Sequence, residues 1–206
     1  MSTDVGRDLF LRNVNVSHET SARLDRYAEL LALWQPKINL VGPKTIPELW
    51  SRHFLDSAQL LPLVTGAARL ADLGSGGGFP GLVLAILTGC ETHLVESDQR
   101  KAIFLREVSR ETSAPVTVHT SRAETLEPLA ADIVTARALA PLAELLPLAY
   151  RHIGPGGRAV FLKGAGWQAE VAAAREQGWM FHVKHFPSVT SAEAAILELS
   201  DIRPPA

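Results

Sequence analysis

The residues best suited to chemistry lie in one run, LADLGSGGGFPGL, from Leu70 to Leu82. Two overlapping glycine patterns share its letters. From Asp72 the run is an acid, one apolar residue and then Gly74-x-Gly76-x-Gly78, the form of a turn that receives S-adenosylmethionine. From Gly76 it is Gly76-x-Gly78-x-x-Gly81, the dinucleotide fingerprint. A carboxylate at Asp72 beside the turn repels a pyrophosphate, whereas a sulfonium carrying an α-amino group tolerates it. Glu96 lies 20 residues after Gly76 and offers an acceptor for a ribose diol. Both ligands carry that diol, so Glu96 does not choose between them. In Ser121-Arg122-Ala123-Glu124, an acceptor at Glu124 and a backbone N–H near Ala123 match the N6 donor and N1 acceptor of an adenine.

Such groups need strand ends to hold them, and the chain supplies them after Arg69. ARLADL, THLVES, PVTVHT, ADIVTA and RAVFLK are short apolar or β-branched runs bounded by glycine, polar or acidic residues. Between them PGLVLAIL, QRKAIFLREVSRE and PLAELLPLAY read as helices, with Pro80 and Pro141 near first-turn positions. The alternation predicts a mostly parallel sheet with helices on both faces, and a ligand outside the C-terminal strand ends. Gly154-Pro155-Gly156-Gly157 reads as a turn into the fifth strand, and MFHVKHF and AAILELS as two last strands, paired antiparallel across a short connection.

Before Arg69 the pattern is helical. Leu24, Tyr27, Ala28, Leu31 and Trp34 recur at helical spacing behind Ser17, a candidate N-cap, and Pro36 ends the run. Thr45-Ile46-Pro47-Glu48 reads as a capping box opening a second helix through WSRHFLDSAQLL. The expected organisation is a helical extension over residues 1–66 packed on a core domain over residues 67–206.

Composition narrows the function classes. With 47% hydrophobic and 20% charged residues in 206, the chain has enough apolar surface for a buried core. The start, MSTDVGRDLF, lacks an apolar block, and no later stretch approaches the roughly 18 apolar residues of a membrane span, so a soluble, cytoplasmic protein is expected. Cys90 is the only cysteine, expected as a small buried residue, so no disulfide within the chain and no Cys-x-x-Cys site is possible. His182 and His185 face opposite sides of a strand, and no metal site is expected. The net charge is -2, which by itself advertises no nucleic-acid partner and leaves any basic face to spatial segregation.

The blocks PKINLVGP, RHFLDS, DLGSGGGFPGLVLAI, SDQRKAIFLREV, SRAE, VTARALAPL and GGRAVFLKG, over about residues 30–165, resemble the bacterial small-subunit ribosomal RNA guanine-N7 methyltransferases, also called glucose-inhibited division protein B. The resemblance implies a Rossmann-like class I methyltransferase fold with an antiparallel strand near the C-terminus of a seven-stranded sheet. It implies methyl transfer from S-adenosylmethionine to N7 of guanine 527 of 16S rRNA, in free RNA or in the small subunit, by a monomer. Carried onto matching positions, the cofactor residues are Gly74, Gly76, Gly78, Phe79, Glu96, Ala123, Glu124 and Arg137. Guanine N7 has a free lone pair and no proton to lose, so alignment rather than a general base is expected to carry catalysis. Arg137 and Lys163, at adjacent strand ends, are the candidate catalytic groups, placed to hold the guanine O6 or nearby phosphates. Lys163 is equally readable as a solvated strand-end lysine. Arg52 and His53 are candidates for the RNA entrance, although His53 and Asp56, three apart, can instead satisfy each other. Arg100, Lys101 and Arg106 are candidates for RNA phosphates or for a solvated helix face. Two other readings remain: a nicotinamide-dependent oxidoreductase built on the second glycine pattern, and a ribosome-assembly factor that does no chemistry.

Overall fold

A computed structural model of the protein describes residues 2–206, with side chains from Val5 onward. Seven strands, β1 (Arg69–Leu73), β2 (Glu91–Val95), β3 (Val116–His119), β4 (Ala131–Arg137), β5 (Ile153–Lys163), β6 (Met180–Pro187) and β7 (Ala195–Arg203), form one sheet in the order β3-β2-β1-β4-β5-β7-β6. The first five are parallel, and β7 runs antiparallel to both β5 and β6. The mostly parallel sheet and the antiparallel C-terminal pair are those expected from the sequence. β1 and β4 are covered on both faces, which explains why RLADL and ADIVTAR are nearly continuous in apolar residues rather than alternating. Strand order reverses between β1 and β4, so the chain leaving these two strands diverges and opens a crevice at their C-terminal ends.

Among the described residues eight α-helices surround the sheet: α1 (Ser2–Asn13), α2 (His18–Trp34), α3 (Asp56–Ala58), α4 (Leu61–Val64), α5 (Gly81–Thr88), α6 (Gln99–Thr112), α7 (Leu142–His152) and α8 (Trp167–Glu176). The front helices share one apolar core with α5 and α6, in which Phe10, Leu24, Tyr27, Phe54, Leu82 and Phe104 are buried together. Over the other face α7 and α8 pack Leu142, Leu146 and Ala174 against Leu73, Phe161 and Leu197. Caps fix the helix starts that matter for the crevice. Ser17 accepts a hydrogen bond from Thr20 N at the start of α2, and the Asp98 carboxylate accepts from Arg100 N and Lys101 N at the start of α6.

Three local expectations change. Thr45 caps no α-helix: its hydroxyl donates to Gly42 O (2.7 Å), so Pro43–Glu48 winds as a 3₁₀ turn and Trp50–Leu55 as a π-helical turn. Trp50, His53, Phe54 and Leu55 are all buried: the first three share a face at α-helical spacing, and the wider π turn draws Leu55 toward the same side. Gly154–Gly157 is not a separate turn but an irregular start of β5, where the register against β4 shifts between Ala131 and Ile133. Cys90 is half-buried, with its thiol near Ala68 O and Glu91 O, because the chain there is turning out of α5 into β2. Two helices, α1 and α8, have no counterpart in the sequence reading.

Candidate active site

The crevice between the ends of β1, β2 and β4 is a cleft of about 620 Å³. Its floor is the glycine turn after β1, and its sides are the chain after β2, the turn at Ser121–Glu124, the chain after β4 and the loop Leu40–Gly42 from the front segment. It brings together Gly74, Gly76, Phe79, Glu96, Ala123, Glu124, Arg137, His53 and Lys101 among the residues singled out from sequence. Gly78 stands just behind the turn rather than on the cleft surface. Leu40, Val41, Gly42 and Leu139 also line the cleft, and no spacing argument pointed to them.

The glycine turn is shaped from both sides. Gly74, Gly76 and Gly78 all have positive φ, where only glycine is free of strain. Tyr27, fully buried in α2, donates its hydroxyl to Gly77 O beneath the turn. Gln35, at the end of α2, accepts from Leu40 N and Val41 N and donates to Val41 O, which holds the Leu40–Gly42 loop over Gly77. The front helices are therefore part of the cleft and not an appendage to it. A Cβ added at Gly78, at φ +96°, would run directly onto Tyr27 Oη and lie 3.0 Å from Leu82 Cβ. Gly78→Ala is expected to cost about 2–4 kcal/mol, from backbone strain together with overpacking. Denaturant unfolding checks this, and a change below about 0.5 kcal/mol would show that the turn relaxes freely.

Glu96, buried at the end of β2, accepts from Gly76 N (2.8 Å) with one oxygen and from Asp98 N (2.7 Å) with the other. It thereby ties the glycine turn to the start of α6, and each oxygen keeps acceptor capacity in a side chain that lines the cleft. Asp72 behaves differently. It lies fully buried behind the turn and does not line the cleft; Thr135 Oγ1 donates to it (2.8 Å), and burial pushes its carboxyl up to about 6. Its partner on the other side is the start of α5, since a Cβ at Gly81 would stand 2.5 Å from Asp72 Cβ. The α5 N-terminus that a dinucleotide would use for its pyrophosphate is thus occupied by a side-chain carboxyl. Gly81 is a close-packing glycine, since a Cβ there would also stand 2.7 Å from Leu94 Cδ2.

Arg137, at the end of β4, connects the cleft to the RHFLDS segment. Its guanidinium donates to His53 Nδ1 (2.7 Å), to Asp56 Oδ2 (3.2 Å) and to Arg52 O (3.2 Å), and its carbon lies 5.1 Å over the ring of Phe79. Arginine can only donate, so His53 Nδ1 accepts and His53 Nε2 carries the proton. Nε2 then donates to Thr45 Oγ1 (2.7 Å), which in turn donates to Gly42 O. The result is a directed chain from Arg137 through His53 and Thr45 to the cleft loop. His53 and Asp56 do share a face, but both bond Arg137 rather than each other.

This environment keeps His53 neutral. Burial, with the nearby charges of Arg137 and Arg52, lowers its pKa to about 3. Below pH 6.5 the unfolded chain takes up a proton at His53 that the folded chain refuses, so folding stability falls as pH drops from 6.5 toward 3, by up to about 1.4 kcal/mol per unit. Asp72 has the opposite sign: its raised pKa favours folding below 3.8, and that contribution is lost as pH rises through about 6. A His53→Gln variant removes only the first effect. Its stability should decline less steeply than wild type between pH 6.5 and 4 in denaturant titrations, and parallel slopes would contradict the neutral, buried imidazole.

The remaining sequence candidates divide. Ala123 is buried, with its carbonyl accepting from His152 Nε2 (2.9 Å), and Glu124 beside it is exposed at the cleft mouth in a turn rather than a helix. Arg100 is exposed beside Asp98, Arg106 donates to Val118 O and Thr120, and Arg52 is exposed and paired with Glu48 (3.3 Å). Lys163 is not solvated: it is buried, donating to Ala140 O (2.7 Å) and pairing with Glu170 (2.6 Å). It lines a second hollow next to the cleft, not the cleft itself. Among the described residues no cluster of His, Cys, Asp or Glu is suited to hold a metal, and no helix is long and apolar enough to cross a membrane.

Comparison with known proteins identifies the fold and the family. The architecture is shared with an O-methyltransferase from Bacillus cereus in complex with SAH, at a TM-score of 0.62 and 14% identity, covering 97% of this chain and 98% of the other. It is also shared with an SAM-dependent O-methyltransferase from Thermotoga maritima, at a TM-score of 0.59 and 14% identity, covering 87% and 73%. The fold is the class I S-adenosylmethionine-dependent methyltransferase fold. The chain is 52% identical over 199 residues to the ribosomal RNA small subunit methyltransferase G of Paramagnetospirillum magneticum, covering 96% of this chain and 97% of the relative. It is 55% identical over 190 residues to the protein of the same name in Rhodospirillum centenum, covering 92% and 88%. The profile of the rRNA small subunit methyltransferase G family matches residues 20–198. With the profile spanning nearly the whole chain and half the residues shared with full-length relatives, the protein belongs to the rRNA small subunit methyltransferase G family.

Proposed function

We propose that the protein methylates N7 of guanine 527 in 16S rRNA, with S-adenosylmethionine bound in the cleft over the glycine turn. When bound, S-adenosylmethionine supplies a methyl on a sulfonium: the N7 lone pair forms the new N–C bond, the C–S pair stays on sulfur, and no proton is lost. The cleft residues fit this ligand. Glu96 presents a carboxylate for the ribose hydroxyls, and Ala123 with Glu124 border the adenine end. Gly76, with open space where a side chain would stand, and Gly74, faced by the flexible side chain of Leu139, leave room for the methionine end to lie against the backbone. The Asp72 carboxyl behind Gly81 disfavours a pyrophosphate, and with it a nicotinamide dinucleotide.

The observation that carries N7 over a base carrying a removable proton is the state of His53. It stands on the cleft wall with its pKa lowered to about 3 and with both ring nitrogens committed, to Arg137 and Thr45. It is arranged to position and not to accept a proton, which suits an acceptor that has none to give. Arg137, bonded to His53 and Asp56 and stacked on Phe79, holds the wall against which cofactor and base meet. Lys101 on the cleft, Arg52 on the neighbouring hollow and Arg100, exposed at the start of α6, are the proposed phosphate contacts, in a protein that acts as a monomer in the cytoplasm. Calorimetric titration tests the cofactor directly: S-adenosylmethionine should bind with one site per chain, and binding of NAD with no signal from S-adenosylmethionine would overturn the reading.

A further inference from the structure

Beside the cofactor cleft lies a second hollow of about 470 Å³, which shares Arg137, Ala138 and Leu139 with the first and is lined beyond them by Lys163 and Glu170. Resting on the methyl-transfer reading above, we propose that this hollow receives the acceptor guanine and that Lys163 and Glu170 read its O6 and N1–H edge. Two of the three Lys163 protons are placed, on Ala140 O (2.7 Å) and on Glu170 Oε2 (2.6 Å), which leaves one for an outside acceptor. Glu170 Oε2 also accepts from Leu142 N (2.7 Å), capping α7, while Oε1 accepts from no group among the described residues. The hollow therefore offers an N–H donor and a carboxylate oxygen side by side.

That pair is complementary to guanine in one orientation. Going round the base from N7, guanine presents N7 and O6 as acceptors and then N1–H as a donor. With N7 directed across the shared wall toward the cofactor cleft, O6 meets Lys163 and N1–H meets Glu170 Oε1. Adenine in the same orientation sets its N6 donor against Lys163 and its N1 acceptor against Glu170, so both contacts turn repulsive. The pair also favours the reaction. Methylation at N7 makes the purine cationic and N1–H a stronger donor, so its bond to Glu170 strengthens as the methyl arrives, an interaction larger in the transition state than in the ground state. Glu170 thus belongs to kcat more than to RNA binding.

Small-subunit RNA carrying inosine or 1-methylguanosine in place of the acceptor guanosine tests this. Inosine keeps O6 and N1–H and should be methylated within about threefold of guanosine. 1-Methylguanosine lacks the N1–H and should lose roughly 10- to 100-fold in kcat. Glu170→Gln should lose a similar factor on guanosine, with unchanged calorimetric affinity for S-adenosylmethionine, and lose little more on 1-methylguanosine. Equal wild-type rates on guanosine and 1-methylguanosine overturn the assignment without any variant, as does a Glu170→Gln protein that discriminates between them as wild type does. Absence of transfer to unmodified RNA by wild type overturns the methyl-transfer reading itself, and the subsite with it.

Discussion

Glu96→Ala is expected to weaken S-adenosylmethionine binding by about 100-fold. The carboxylate is buried at the end of β2, lines the cleft, and accepts from Gly76 N and Asp98 N. Alanine removes the acceptor proposed for the ribose hydroxyls, and hydrogen bonds to a charged group contribute about 1.5–3 kcal/mol each. It also strands two backbone N–H groups and frees Gly76, so the turn loses its shape as the ligand loses a partner. The two contributions separate with an S-adenosylhomocysteine analogue lacking both ribose hydroxyls. The difference between wild type and Glu96→Ala on this analogue measures the turn alone, and it should be much smaller than their difference on the natural ligand. A variant that keeps S-adenosylmethionine affinity within threefold removes Glu96 from the site.

Arg137→Ala is expected to lower kcat/KM for methyl transfer by about 100-fold or more and to destabilise the fold by about 2 kcal/mol. The pair with Asp56 is mostly buried, with side chains 17% and 16% exposed, so removing the cation leaves a carboxylate with only Thr190 and Gln59 as partners. Breaking a fully buried pair costs about 3–5 kcal/mol, and partial exposure to water reduces that. The larger effect is on geometry. Without Arg137, the directed chain through His53 and Thr45 to Gly42 loses its first donor and Phe79 loses its stacked cation. Misplacement of reacting atoms by about 1 Å is enough for a 100-fold loss. Arg137→Lys keeps the charge but not the fork that spans His53, Asp56 and Arg52 O, and should recover less than a tenth of the activity. Full activity in Arg137→Ala would show that the wall is held from elsewhere.

How much of this was legible in the sequence follows from which forces are local. RLADL, ADIVTAR and RAVFLK read as strands because burial on both faces of a parallel sheet leaves a continuous apolar run, and Ser17 read as a cap because its bond is to a neighbour three residues on. That Glu96, Gly74 and Gly76 line a cleft was legible because a strand end fixes where the next residues point. The capping box at Thr45 failed for the converse reason: the hydroxyl is bound by Gly42 O and by His53, and His53 is placed there by Arg137, 84 residues away. Leu139 was hidden because it meets Gly74 across the cleft, and Leu40 because Gln35 folds its loop over Gly77. Lys163 read as a candidate catalytic group or a solvated strand end. Its neutralising partner Glu170 sits on α8, a helix the sequence did not announce.

The most direct test of the account is to incubate the protein with labelled S-adenosylmethionine and either small ribosomal subunits or naked small-subunit rRNA, then map the labelled nucleotide. The label is expected on N7 of one guanosine, at position 527, with loss of that label in Arg137→Ala. Label on an exocyclic amine or a ribose hydroxyl, or no label from a protein that binds S-adenosylmethionine, would contradict the assignment.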